Sequence, residues 1–307
     1  ALDVVVETDT ESYLDCADIT AKNLYVLAMF NRRSDGEDAL FTDSDGEVKK
    51  YGFSAKGTAS GSSIVTGGSG LYVDVKIDPD VKAYAAKTSG NKAAADVTEA
   101  VVFKALRSIL LNIDNTDLGI AVGIAAGRID IKADILGTVQ ASGSADGMTV
   151  KTKNLYIIAD NKESTVLKAI GNNYAVGGAG LGTYPVFKTD THVIAGTEGT
   201  VNASGEVYMN AQNSAVYDMN NRGASGAALA TDSFTEVDVD LKNDTQAVIK
   251  GIVNTGTLNA YAVNGVNNKV YSTAYAYAGI DAESSVRENT SAGLGTYVKV
   301  SGAQITT

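Results

Sequence analysis

Residues 174–210 read YAVGGAGLGTYPVFKTDTHVIAGTEGTVNASGEVYMN, a series of short apolar bursts separated by Gly, Asn, Ser and Thr. Glycine every few residues is incompatible with a helix, and the Val, Ile, Thr, Tyr and Phe between the glycines favour strands. The two-residue Asn-Gly or Asp-Gly signal of tight hairpins is absent from the stretch. The bursts therefore predict strands joined by something other than a chain of hairpins.

Self-similarity supports this reading. AKNLYVLA at 21–28 returns as TKNLYIIA at 152–159, and AGLGTY at 179–184 returns unchanged at 292–297. Leu71, Ala126, Leu181, Leu229 and Leu294 serve as anchors, spaced 55, 55, 48 and 65 residues apart, with a mean near 56. Within a unit the polarity alternates. In FTEVDVDL (234–241), Val237, Val239 and Leu241 share one side, while Glu236, Asp238 and Asp240 share the other. In RIDIKADI (128–135), Ile129, Ile131, Ala133 and Ile135 share a side. Repeating one-sided strands predict an all-β chain, a parallel β-helix (β-solenoid) whose corners are the Gly and Asn positions. Reading each unit as two or three coils of roughly 20–25 residues gives about a dozen coils and a rod on the order of 60–70 Å long.

Composition fits. The chain of 307 residues has 32 Gly but 2 Pro, 44% hydrophobic and 20% charged residues, which is globular. A net charge of −11 argues against nucleic acid and anionic membrane surfaces, and no apolar run is long enough for a transmembrane helix, so neither nucleic-acid binding nor membrane insertion is expected. The opening, ALDVVVETDT, is strand-like and has no secretory leader, as expected of a processed chain or a piece of a longer one.

Two segments depart from the rhythm. In AAADVTEAVVFKALRSILLN (93–112), Val102, Leu106, Ile109 and Leu110 fall at helical spacing, and Asp96 and Glu99 have capping-box spacing, so a flanking amphipathic helix is expected. EDALFTDSDGEVKKYGF (37–53) predicts a hairpin turning at Asp45-Gly46. The expected organisation is one domain over 1–307, decorated across 30–115 and plainer across 115–307.

Chemistry is sparse. His192, the single histidine, stands beside Asp190 on a strand. Cys16, the single cysteine, has no basic neighbour and reads as a small core residue. GGAGLG (177–182) is not followed by a βαβ unit, so no dinucleotide cofactor is expected. Candidates for calcium are Asp43 and Asp45 in DSDGE, and the strand carboxylates Asp238 and Asp240. The latter pair, with Glu236, also has a spacing that glycoside hydrolysis permits, although Lys242, Lys250 and Arg222 are the few bases nearby. The fifteen tyrosines, alternating with small residues in YSTAYAYAGI (271–280), are candidates for sugar or protein contact.

The segment 175–213, AVGGAGLGTYPVFKTDTHVIAGTEGTVNASGEVYMNAQN, resembles the repeats of filamentous-haemagglutinin-like and leukotoxin-like bacterial adhesins, exoproteins of type V secretion. GTVNASGEVYMNA (199–211) carries the likeness most closely, and looser copies extend it over roughly 115–307. The resemblance implies an extracellular or cell-surface protein, a right-handed β-helix and an adhesive or toxin-associated role, and it supplies no catalytic residue. The expected partners are a host cell-surface protein or glycan, or neighbouring copies end to end. A self-assembling fibre subunit and a carbohydrate-active enzyme on the same scaffold are the alternatives.

Overall fold

A computed structural model describes residues 1–15, 18–86 and 93–307; Cys16 lies outside them. The chain forms β1 (Leu2–Asp15), β2 (Asp18–Phe30), β3 (Leu40–Thr42), β4 (Val48–Lys50) and β5 (Phe53–Ser63). Long strands follow: β6 (Thr66–Ala86), β7 (Ala93–Ala121), β8 (Ile124–Ser142), β9 (Met148–Ala175) and β10 (Gly178–Thr197). The series ends with β11 (Thr200–Ala227), β12 (Ala230–Ile249), β13 (Ile252–Ala278), β14 (Asp281–Val300) and β15 (Gln304–Thr306).

Apart from the β3–β4 hairpin and an isolated antiparallel Arg32–Asp38 bridge, every pairing among the described residues is parallel, and the strands build two sheets in chain order. One sheet runs β1-β6-β8-β10-β12-β14; the other runs β2-β7-β9-β11-β13-β15, with β5 also on β7. The chain thus alternates between sheets, and each visit adds a strand to the growing edge. This is the all-β, solenoid-like stack that the alternation predicts.

The lap, however, is the whole repeat. Gly178 registers with Ile124 on one side and Ala230 on the other, steps of 54 and 52 residues. Most glycines and asparagines punctuate strands from within. The corners are short: Val122-Gly123, Val176-Gly177, Ala228-Leu229 and Gly279-Ile280 on one flank, with Glu198-Gly199 and Lys250-Gly251 on the other. Six strands at about 4.8 Å make a stack only about 24 Å high, and the long dimension lies along strands of 20 to 29 residues. The expected dozen-coil rod of 60–70 Å along the stacking axis is therefore corrected. A narrow interior between two sheets accepts Gly, Ala, Asn and Thr, so small residues are as much wall as corner.

Residues 93–112 lie within β7, so the expected helix is also corrected. Val101, Phe103 and Ala105 face the interior at strand spacing. Leu106 and Ser108 point the other way, yet both are buried. The excursion between β2 and β5 covers them: Asn31 donates to Ser108 O at 3.3 Å, and a Cβ on Gly52 would meet Leu110 at 2.9 Å. With apolar residues needed on both faces, Val102, Leu106 and Leu110 acquire the spacing of a helix. The excursion holds the antiparallel β3–β4 hairpin, closed by a turn over 43–47 with Gly46 at φ +81°.

The two internal repeats behave differently. Leu24 registers with Val101, and Val101 with Leu155, so 21–28 and 152–159 are equivalent positions two laps apart. The two AGLGTY copies are not equivalent. Leu181 registers with Ser233, whereas Leu294 registers with Asn243.

Corner geometry separates two classes of glycine. A Cβ on Gly123 would lie 1.9 Å from Val65 O, whereas one on Gly180 would meet nothing within 4 Å. In urea unfolding, Gly123→Ala is expected to cost about 2 kcal/mol or more. Gly180→Ala is expected to be neutral or to stabilise by up to about 1 kcal/mol. Equal midpoints for the two variants would contradict the corner geometry.

Candidate functional site

The interior is two apolar clusters with a polar belt between them. One cluster includes Val81, Phe103, Val139, Ile157, Val193 and Met209; the other includes Ile77, Ile113, Ile131, Phe187, Tyr217 and Val239. At the belt, Arg107 of β7 is fully buried. Its Nε donates to Asn161 Oδ1 (2.8 Å), and Nη1 donates to Pro79 O (3.1 Å) and Leu136 O (2.8 Å). Its Nη2 donates to Glu163 Oε1 (2.7 Å) and Thr191 Oγ1 (3.2 Å), so all five guanidinium hydrogens have acceptors. Glu163 Oε1 also accepts from Asn161 Nδ2 and Thr191 Oγ1, and Oε2 accepts from Tyr217 OH at 2.5 Å.

The neighbouring backbone is shaped for this group. Register pairs of β6 and β8 run to Ile77↔Ile135 and resume at Val81↔Val139. Between them Pro79, which has no N–H, turns its carbonyl to Arg107, and Asp80 Oδ1 accepts the Thr138 amide at 2.7 Å. Gly137, at φ +111°, leaves the space: its Cβ would stand 2.9 Å from Arg107 Nη1. Burial pushes the Arg107 pKa down against the pull of Glu163. Burial likewise pushes the Tyr217 hydroxyl well up, with Glu163 adding to the shift. From the belt an amide ladder climbs the stack, Asn161 to Asn213 to Asn264, with each Nδ2 donating to the next Oδ1 at 2.7 and 2.8 Å. Asn264 Nδ2 then crosses to Asn243 O, closing the ladder on the opposite sheet. The belt ties both sheets together, and its charged groups are sealed from solvent.

The surface faces carry the remaining candidates. The outer face of the β1–β14 sheet is a mixed-charge ladder, with Lys76–Glu7, Lys132–Asp134, Lys82–Asp80 and Arg287–Glu236 among its pairs. Asp238 and Asp240 lie on this face, opposite the buried Val237, Val239 and Leu241. Asp238 accepts from Asn289 Nδ2 and Asp240 from Ser291 Oγ, both at 2.7 Å, as rungs of the ladder. The Ser291 hydrogen bond, then Lys242, hold the Asp240 pKa below its ordinary value, opposite in sign to a general acid. His192 sits between Asp190 (Nε2–Oδ1 3.2 Å) and Asp244 (Nδ1–Oδ2 3.8 Å) on the same face.

Asp43 accepts the amides of Asp45 (3.0 Å) and Glu47 (2.9 Å) and pairs with Lys49, so it fixes the hairpin turn beside Asp45. Among the described residues no three His, Cys, Asp or Glu side chains are grouped to hold a metal ion.

One apolar feature, a ridge at the corners, went unrecognised in the sequence, and it lies beside the tyrosines of 271–280. Ile64 and Val65, Val122, Val176, Leu229 and Ile280 align at successive corners, and Ile64 and Ile280 are 79% and 78% exposed. Beside this ridge Tyr174, Tyr275 and Tyr277 stand on the outer face of the second sheet; Tyr275 and Tyr277 are stacked at 6.3 Å, and Arg222 lies 5.6 Å over Tyr275. The signal was present, a large apolar residue in each two-residue corner of this flank, but it is legible only once the lap length is known. The arrangement offers a dry, ion-locked interior and a contact surface of apolar corner and tyrosines. No known protein family, curated protein or solved structure matches the chain.

Substitutions in the belt should be non-additive. Arg107→Met leaves the Glu163 carboxylate buried without its counter-ion and is expected to cost about 3–5 kcal/mol, while adding Glu163→Leu recovers part of the loss. Denaturant midpoints of the two single variants and the double variant check this, and additive losses would contradict the coupling.

The acid limb of stability should follow the partly buried carboxylates. Burial would raise the Asp80 pKa, but Lys82 and the Thr138 amide outweigh it and hold it low. Asp80 therefore stabilises the fold above its unfolded value near 3.8, and that contribution is lost as pH falls through its lower folded value. Asp117 has the opposite sign. Burial raises its pKa, so its stabilisation is present below 3.8 and lost as pH rises through the folded value. Asp80→Asn is expected to lower stability at pH 7 and to converge with wild type in acid; Asp117→Asn should not show that convergence.

Proposed function

We propose that the chain is an extracellular, non-catalytic rod segment of a secreted bacterial filamentous adhesin or toxin-like exoprotein, acting through contact with a host cell-surface protein or glycan. The observation that carries this reading is the stack itself. Laps of 51 to 54 residues across β8, β10, β12 and β14 add in one direction and constant register. A scaffold of stacked parallel laps suits a stalk, and the segment that resembles filamentous adhesins, 175–213, lies within it, across β10 and the start of β11. A right-handed winding belongs to this reading, because strand–crossover–parallel strand connections take that hand almost without exception. The apolar corner and its tyrosines supply the contact surface, since exposed apolar stripes and aromatic clusters mark interaction sites. The carbohydrate-active alternative has less support, because Asp238 and Asp240 are engaged by Asn289 and Ser291 as rungs of the outer ladder.

Beads coated with the purified chain are expected to bind epithelial cells above albumin-coated beads. The triple variant Ile64→Ser/Val122→Ser/Ile280→Ser should reduce binding at least about tenfold, if these side chains include interface hot spots. Binding no better than albumin would sink the adhesive reading. Full binding by the folded triple variant would move the contact elsewhere.

A further inference from the structure

We infer that the chain binds a carboxylate-bearing sugar residue of a glycan, in a groove on the outer face of the first sheet at the flank opposite the apolar corner. The inference goes beyond the adhesive reading, because the apolar corner and its tyrosines take no part in this site.

One outward row creates the groove. Ala83, Ala141, Ala195 and Ala247 face the interior and are fully buried. Their chain neighbours Tyr84, Ser142, Gly196 and Val248 therefore face outward in register, with Tyr13 below them and Lys299 above. Tyr13 covers one face of the Tyr84 ring, with centroids 5.4 Å apart and planes at 16°, and Tyr84 OH donates to Glu11 Oε2 at 3.2 Å. The ring is thus braced from below. Above it the next two laps carry Ser142 and Gly196, which are too small to cover its other face. Val248 stands three laps above Tyr84, about 14 Å at the spacing of paired strands. The result is a groove of about 390 Å3, lined by Tyr84, Ser142, Gly196 and Val248 but not by Tyr13.

The other walls are polar. The adjacent outward row sets Gln140, Ile194 and Gln246 along one side. Neither glutamine amide is hydrogen-bonded among the described residues. Along the other side Lys250 Nζ pairs with Glu198 Oε1 at 2.6 Å. Lys299, at the upper end, has no ion-pair partner among the described residues. Two bases and one acid therefore line the groove, in a chain of net charge −11.

Each part of the groove matches a part of an acidic sugar. The free face of a braced tyrosine takes the C–H face of a pyranose ring, as aromatic rings take other flat apolar surfaces. A primary amide both donates and accepts, so Gln140 and Gln246 can each engage neighbouring hydroxyls. Lys299 offers the carboxylate an unpaired ammonium, on a surface that elsewhere repels anions. The volume lies at the small end of ligand pockets, suited to one or two sugar rings rather than to a peptide segment.

Titration of the 15N-labelled chain with N-acetylneuraminate, glucuronate and methyl glucoside tests the site. At least one of the two acids is expected to shift the amide resonances of Ser142, Gly196 and Lys250, and the one that does so identifies the sugar. Methyl glucoside should bind about tenfold more weakly. Tyr84→Ala and Lys299→Ala should each weaken the acidic sugar by about three- to tenfold, and Lys299→Ala should remove its advantage over methyl glucoside. Ser142→Leu, outward and outside the core, should fill the space over Tyr84 and abolish the shifts while the unfolding midpoint stays unchanged. No shift with either acid up to about 50 mM overturns the inference, as do shifts that survive both Tyr84→Ala and Ser142→Leu. Equal affinity for methyl glucoside overturns the acidic class. A chain that binds cells but neither acid loses only this inference; one that binds an acidic sugar but no cell loses only the adhesive reading.

Discussion

Every structural feature depends on the parallel ladder, which places each residue directly above the one about 52 positions earlier in the chain. In a globular core a polar residue can be offset by moving its neighbours. Here the register carries the choice along the row, so a polar side chain inside the stack needs partners supplied from neighbouring laps. Asn161, Asn213 and Asn264 meet that requirement by donating along their own row. Thr183 and Thr235 meet it in the facing sheet, at 3.1 Å. Some interior rows are uniform, as Ala83, Ala141, Ala195 and Ala247 are, whereas Glu163 stands in the row of Ile109, Ala215 and Val266 and is satisfied by Arg107 and Tyr217 from other rows.

Arg107 breaks the asparagine row at its lower end, and its surroundings show what that demands. A buried guanidinium needs five acceptors, and the ladder offers few because its carbonyls are already committed. Pro79 and Gly137 release two of them, at the one place where the β6–β8 pairing lapses. A break that weakens one strand pair thus becomes the point where the two sheets are joined, by Arg107 of the second sheet donating to Pro79 O and Leu136 O of the first. The Arg107–Glu163 pair is weak evidence of net stabilisation, but a register displaced by one lap would leave both charges uncompensated. Its clearest consequence is specificity: among near-identical laps, only one alignment satisfies Arg107 and Glu163 together.

Much of this was legible in the residues and some was not. Alternation in RIDIKADI and FTEVDVDL gave the strand faces correctly, because each strand there has one face inside and one in water. The same rule misread 93–112 as helical, because Leu106 and Leu110 are covered by the excursion after β2 and the alternation is filled in on both sides. Lap length was misjudged for a related reason. Glycine and asparagine within strands look like corners when the interior is narrow enough to prefer small side chains. The buried ion pair left no local trace, since Arg107 and Glu163 are 56 residues apart in sequence and meet only through the lap period.

The same period governs the surface. A residue that recurs once per lap becomes a continuous stripe, so a single apolar residue near each corner produces the ridge from Ile64 to Ile280. The opposite corner carries the Lys250–Glu198 pair, and the outer face of the first sheet alternates acids and bases. The apolar corner and the tyrosine columns lack such internal pairing by charge. Outer faces and the exposed apolar side chains of the corner, unlike the corner glycines, are also the positions that the interior constrains least, because a side chain there adds nothing to the row beneath it. Recognition can therefore change at the corner stripe while the ladder and the belt stay fixed, and a stalk built this way presents its contacts as repeated, aligned sites rather than as one pocket.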